Sequence, residues 1–244
     1  MPSVLGPNTN LPAEFLKPTV LLCCGEDSAE FLAAIQADAP RPIERQSHYR
    51  CYSFWQYPDF LAGWTGIGTG CVEPLLFELF QAQQVKRIAL VGTAGKFAHS
   101  KLELGKTHLC DPAKCVYTGL DKIVGNTLLH PKLPPGFASK APRAGILSTD
   151  LFYGFSGDAM KATFPLYNEA LAKAYHDESS QMDLVDMEVA QFYFLCDKYG
   201  GRGLDAYLAF KGAANEMGLG DQQLANSQST INACVQAALS ALKQ

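Results

Sequence analysis

Two glycine-rich turns are the first features of this chain whose residue types could do chemistry. Thr65-Gly66-Ile67-Gly68-Thr69-Gly70 stands between an apolar run and a helical pattern, where backbone N–H groups at a helix start can receive an anion. It departs from the dinucleotide pattern G-x-G-x-x-G at its last position, Cys71, and no acidic residue follows a second strand at the usual distance. Alone, this turn reads as a plain strand-to-helix connection. A second cluster, Gly92-Thr93-Ala94-Gly95, also follows an apolar run. Two such turns place strand ends and helix starts around one crevice. The eight cysteines add no further chemistry. Cys23 and Cys24 are adjacent in an apolar run, Cys196 lies in an apolar helical pattern, and Cys110 and Cys115 belong to no set of four at zinc-site spacing. Free buried thiols in a reducing compartment account for them, and no metal is expected.

A crevice of that kind needs a sheet with helices on both faces. Thr19 to Cys24 (TVLLCC) is continuously apolar and ends at Gly25, as a strand buried on both sides would. Ser28 to Ala37 turns helical, with Phe31, Leu32 and Ile35 on one side. Tyr49 to Trp55 and Asp59 to Trp64 predict a hairpin, and Val72, Leu75, Leu76, Leu79 and Phe80 predict a helix after the first glycine turn. Arg87 to Val91, Lys106 to Asp111, Arg143 to Ser148 and Tyr207 to Phe210 are further expected strands. Val189 to Tyr199 and Asp221 to Lys243 are expected helices, and Gly119 to Pro142 an irregular excursion. Strands separated by helices indicate an α/β protein with a mostly parallel sheet. No break marks a second domain, so residues 1–244 are expected to form one.

Composition sets the limits. The chain is 48% hydrophobic and 18% charged, enough to fill a core, and its net charge of −4 argues against a nucleic-acid partner. The N-terminal stretch has neither the basic nor the apolar region of a signal peptide, and no apolar run approaches the roughly 20 residues of a membrane span. The expectation is a cytoplasmic protein with no membrane partner.

The order of the motifs is more specific than any one of them. VLLCCGEDSAEF, WTGIGTG, ALVGTAGKF, STDLFYG and LVDMEVAQFYFLC, in that order, resemble the nucleoside phosphorylase/nucleosidase superfamily from about Thr19 to the C-terminus. A sixth segment, YLAFKGAANE, falls where that family carries its base-recognition residue. The resemblance implies a three-layer αβα fold, its mixed, twisted sheet partly closed into a barrel, with the active site at strand ends. It further implies a homo-oligomer, dimer or hexamer here, with a nucleoside as small-molecule partner and no cofactor.

Breaking an N-glycosidic bond builds positive charge on the sugar and negative charge on the departing base, so a site needs ribose clamps, a donor for the base and an oriented nucleophile. The resemblance assigns the ribose hydroxyls to Glu188, with Met187 packing on the sugar, and base stacking to Phe152. Taken alone, Glu188 could simply begin the following helix, where negative charge is favourable, and Phe152 could be a core residue. Asn215 stands where adenosine-type nucleosidases carry an aspartate. Its amide can bridge N7 and a 6-oxo group but cannot protonate, which points to a 6-oxopurine nucleoside.

Phosphorylases of this family hold phosphate with arginines. One belongs shortly after Gly25, where this chain reads Glu26-Asp27-Ser28-Ala29-Glu30; in some members another precedes the second glycine cluster by a few residues, where this chain has Leu90. Glu30 aligns with the glutamate that positions water in nucleosidases, and Thr93 with the hydroxyl residue of the same region. Arg50 alone resembles an arginine lent to a neighbouring subunit's phosphate. Hydrolysis is therefore favoured over phosphorolysis, and uridine is disfavoured because Gly154-Phe155-Ser156-Gly157-Asp158 replaces the residues that contact it. An inactive nucleoside-binding protein is the alternative of another class.

Overall fold

The apolar run at Thr19–Cys24 forms a strand, β1, buried on both faces in the computed structural model, which describes residues 4–37, 40–151, 173, 176–216 and 226–243. It is followed by α1 (Ser28–Gln36), β2 (Arg45–Tyr49), β3 (Tyr52–Gln56), β4 (Leu61–Thr65), α2 (Thr69–Gln81), β5 (Arg87–Lys96) and β6 (Thr107–Cys115). Then come α3 (Asp121–Val124), β7 (Arg143–Ser148), β8 (Leu184–Asp186), α4 (Val189–Leu195), β9 (Ala206–Glu216) and α5 (Ser227–Leu242).

Alternation along β1 explains the layering. Val20, Leu22 and Cys24 face one apolar cluster, shared with Leu75, Leu76 and Leu79 of α2 and with Phe192 and Tyr193 of α4. Leu21 and Cys23 face the opposite cluster, with Phe31 and Ile35 of α1 and Val235 and Leu239 of α5. Side chains of a strand point alternately to the two faces, so a strand between two helical layers must be apolar at every position. The result is the three-layer arrangement.

The nine strands form one mixed sheet in the order β2-β3-β4-β1-β5-β8-β7-β6-β9, and β9 also pairs with β5. That extra pairing closes β5, β8, β7, β6 and β9 into a five-stranded barrel. Strands β4, β1, β5 and β9 run parallel side by side, so their C-terminal ends open on the same crevice.

The second glycine cluster is not a turn. Gly92-Thr93-Ala94-Gly95 continues β5 as far as Lys96, because β9 pairs with it over the whole length. The predicted hairpin is present as β3–β4, preceded by a further antiparallel strand, β2. Helix α4 is shorter than expected and ends in a π-helical turn at Cys196–Gly200.

One buried carboxylate fastens the N-terminal segment to α2. Glu78 accepts hydrogen bonds from the Asn8 backbone N (2.8 Å), Asn8 Nδ2 (2.8 Å), the Thr9 backbone N (2.8 Å) and Thr9 Oγ1 (2.7 Å). Burial works to raise the Glu78 carboxyl, but these bonds outweigh it and hold the group below its ordinary value. A carboxylate with a lowered folded pKa contributes stability above its unfolded pKa and loses it as pH falls through the folded one. Glu78→Ala is expected to cost about 2–4 kcal/mol in urea unfolding at neutral pH. The difference from the parent protein should shrink on acidification below the ordinary carboxylate range.

Candidate active site

At the C-terminal ends of the parallel strands lies a cavity of about 310 Å³, near the lower end of the size range of small-molecule sites. β1 contributes Cys24 and, just beyond it, Gly25 and Glu26; β5 contributes Thr93, Ala94 and Gly95. Asp186 and the following Met187 and Glu188 come from the end of β8, Lys211 and Asn215 from β9, and Ile67 from the turn before α2.

The chain leaves β1 through Gly25, whose φ of +73° suits glycine and whose hypothetical Cβ would lie 2.5 Å from Ile67 Cγ1. This sharp exit aims Glu26 back at β5. Its Oε1 accepts hydrogen bonds from the Thr93 backbone N (2.5 Å) and from Thr93 Oγ1 (2.8 Å), while Trp64 Nε1 donates to its backbone carbonyl (2.7 Å). The donors at this point of β5 thus hold a carboxylate of the chain itself.

Glu188 stands at the start of α4 but does not cap it. Asp186 takes that part, accepting from the Val189 backbone N (3.1 Å) and from Ser148 Oγ (2.5 Å). The Glu188 side chain turns inward instead. Oε1 accepts from the Gly68 backbone N at the start of α2 (3.0 Å) and Oε2 from Lys211 Nζ (3.3 Å). Lys211 is 1% exposed, and its Nζ also lies 3.2 Å from Asp186 Oδ2. On β5 the residue opposite Lys211 is Gly92, and a Cβ there would sit 3.0 Å from Lys211 Nζ and 3.2 Å from Glu26 Oε1. Gly92 leaves room for the charged groups.

Burial raises the Glu188 carboxyl, the Lys211 ammonium draws it down and Asp186 pushes it up, leaving it above its ordinary value. Burial works to lower Lys211, but the carboxylates of Asp186 and Glu188 dominate and hold it protonated. Burial pushes the thiols of Cys23 and Cys24 well up, so neither is poised as a nucleophile.

Of the residues singled out from sequence, Gly25, Thr93, Met187, Glu188 and Asn215 line the cavity. A register shift between Ala94 and Gly95 of β5 pairs Gly95 with Asn215 and leaves Ala214 as the extra residue of a bulge. Glu30, expected to hold water, does not line the cavity: it sits in the first turn of α1 and accepts from Ser227 Oγ of α5 (2.5 Å). Glu26, four residues earlier, faces the cavity in its place. Arg50 is exposed on the β2–β3 turn with its guanidinium over the Tyr49 ring, outside the cavity of its own chain. Phe152 lies outside the described residues. Glu26, Asp186 and Lys211 were not anticipated. A lysine within the apolar run YLAF-K-GAA was the available signal, since lysine is almost never fully buried unless paired. Among the described residues no group of three or more His, Cys, Asp or Glu side chains could hold a metal ion.

Gly25→Ala is expected to cost about 2–3 kcal/mol of unfolding free energy, part from the left-handed backbone and part from the Ile67 contact. Adding Ile67→Ala should recover only the second part, a separation that a double-mutant cycle measures.

No family model and no curated protein sequence matches the chain. Solved structures do. Purine nucleoside phosphorylase from Toxoplasma gondii, in complex with immucillin-H, superposes with a TM-score of 0.69 at 17% identity, over 100% of this chain and 97% of that one. Futalosine hydrolase of Helicobacter pylori gives 0.65 at 11% identity, covering 93% and 99%. Uridine phosphorylase from Vibrio fischeri gives 0.65 at 15% identity, covering 97% and 94%. The chain has the fold that these nucleoside phosphorylases and this hydrolase share.

Proposed function

We propose that this protein is an enzyme that hydrolyses the N-glycosidic bond of a purine nucleoside. One observation carries the choice of hydrolysis: the Glu26 carboxylate occupies the Thr93 donors in the cavity that Glu188 also lines, where an added phosphate would meet negative charge. The fold shared with two phosphorylases and a hydrolase supports glycosidic chemistry without choosing between them.

In this mechanism Glu188 accepts hydrogen bonds from the ribose hydroxyls and stabilises the cationic character that grows on the sugar. Met187 packs on the sugar, and Phe152 stacks on the base. Water held by Glu26 and Thr93 attacks C1′, and its proton passes to Glu26. The C1′–N bond breaks and its electron pair leaves with the base. The Asn215 NH2 donates to the 6-oxo oxygen of a hypoxanthine or guanine base, and its C=O accepts from N7–H once the departing base has taken up a proton from solvent. Glu26 takes the role that Glu30 would have held. The chain works as one domain, in the cytoplasm, as a homo-oligomer in which Arg50, outside the cavity of its own chain, could face a neighbour's site.

Base release from inosine and guanosine, followed by chromatography, is expected at the same rate with and without phosphate. Release that requires phosphate and yields ribose 1-phosphate would replace this proposal with phosphorolysis and draw Arg50 into a neighbouring site. Glu188→Gln should lower kcat/KM by about three orders of magnitude. Glu26→Gln should lower kcat by about two to three orders while nucleoside still binds, as calorimetry would register. Adenosine cleaved while inosine and guanosine stay intact would overturn the role given to Asn215.

A further inference from the structure

We infer that Lys211 is a positioning residue of this site: its ammonium keeps the Glu188 carboxylate ionised and fixed where the ribose is clamped. The inference rests on the role proposed for Glu188 and adds a group that does not itself touch the reacting atoms.

The geometry is that of a carboxylate held from both ends. Gly68 N fixes one oxygen of Glu188 and Lys211 Nζ the other, and neither donor comes from α4, the helix that Glu188 precedes. A lysine serving stability alone would be satisfied by Asp186, 3.2 Å away, on the side where α4 is capped. Instead its Nζ is shared with Glu188, the residue lines the cavity, and Nζ and Glu26 Oε1 both flank the space that a Cβ at Gly92 would take. The titratable groups facing this pair come from every packed element. They are Cys23, Cys24 and Glu26 from β1 and its exit, Cys71 from α2, Cys110 from β6, Asp150 after β7, Asp186 from β8 and Cys234 from α5. The thiols stay neutral, because burial raises each of them. Lys211 and the Asp186 carboxylate therefore dominate the charge that Glu188 feels. Without the ammonium, a nearly dry carboxylate close to Asp186 would hold a proton more readily still, and once protonated it could no longer accept from both ribose hydroxyls.

The test titrates Glu188 directly, by NMR of protein labelled with 13C at the glutamate side-chain carboxyl, its resonance identified by its loss in Glu188→Gln. Lys211→Met should raise the midpoint by about one pH unit or more, a tenfold loss of the ionised form at fixed pH. Lys211→Gln, which keeps a neutral donor, should do the same and serves if methionine prevents folding. Lys211→Arg should restore the midpoint, and Asp186→Asn should move it the opposite way by removing a like charge. The acid limb of kcat/KM should follow these midpoints. A Glu188 midpoint unmoved by removal of the lysine charge overturns the inference. Because the titration needs no turnover, a protein that cleaves no nucleoside would refute the hydrolase proposal while this result still stands or falls by itself.

Discussion

A lysine ammonium removed from water must find its counter-charges inside the protein, and much of this structure follows from where Lys211 finds them. The desolvation cost of such a group is several kcal/mol, offset only by close carboxylates with good geometry. Asp186 and Glu188 supply them at 3.2 and 3.3 Å, and each is fixed in turn by other elements. Asp186 is tied to Ser148 of β7 and to the start of α4, Glu188 to the start of α2. The arrangement also requires the strand opposite to have no side chain at Gly92. Residues of β5, β7, β8 and β9 and of the starts of α2 and α4 are thus tied together through one ammonium and its two carboxylates, and removing either carboxylate leaves the lysine with a single close counter-charge.

The parallel strands explain how so many polar groups reach one place without breaching the core. Within β1 and β5 the positions facing the helices are apolar, and polarity begins only where the strands end or where β5 widens into small residues. Glu26 follows Gly25, the residue that ends the buried run of β1, and Lys211 stands level with Gly92, one residue beyond the last pair between β1 and β5. Chemistry is thereby kept at one rim of the sheet while the two apolar layers carry stability.

How much of this was legible in the sequence depended on whether the signal was local. The run TVLLCC and the helical spacing of Val72 to Phe80 depend on burial periodicity alone, and both elements stand as expected. Gly92 to Gly95 misled because small residues that look like a turn are equally suited to a strand packed closely against another. β8, only three residues long, has no periodicity to detect, and its place comes from its neighbours in the barrel. Motif order led to Glu188 and Asn215, but alignment through the short segment from β1 into α1 could not tell which of two nearby glutamates turns inward. The left-handed exit at Gly25 and the pull of Thr93 decide that for Glu26, and Ser227, 197 residues further along, decides it for Glu30. Lys211 was visible as an anomaly whose partners only the tertiary structure could supply.

The barrel closure has a consequence for how the chain behaves in a crowded solution. A sheet ordinarily presents two unpaired rows of backbone donors and acceptors, each able to recruit a strand from another molecule. Here one end of the sheet is rolled against β5, so its row is spent internally, and among the described strands β2 is left as the open border. That border is Arg45-Gln46-Ser47-His48-Tyr49, mostly exposed and rich in polar and charged side chains, which disfavours strand addition and fibril growth. The same rolling that sets the cavity's walls leaves this large β-sheet with little opportunity to aggregate through its edges.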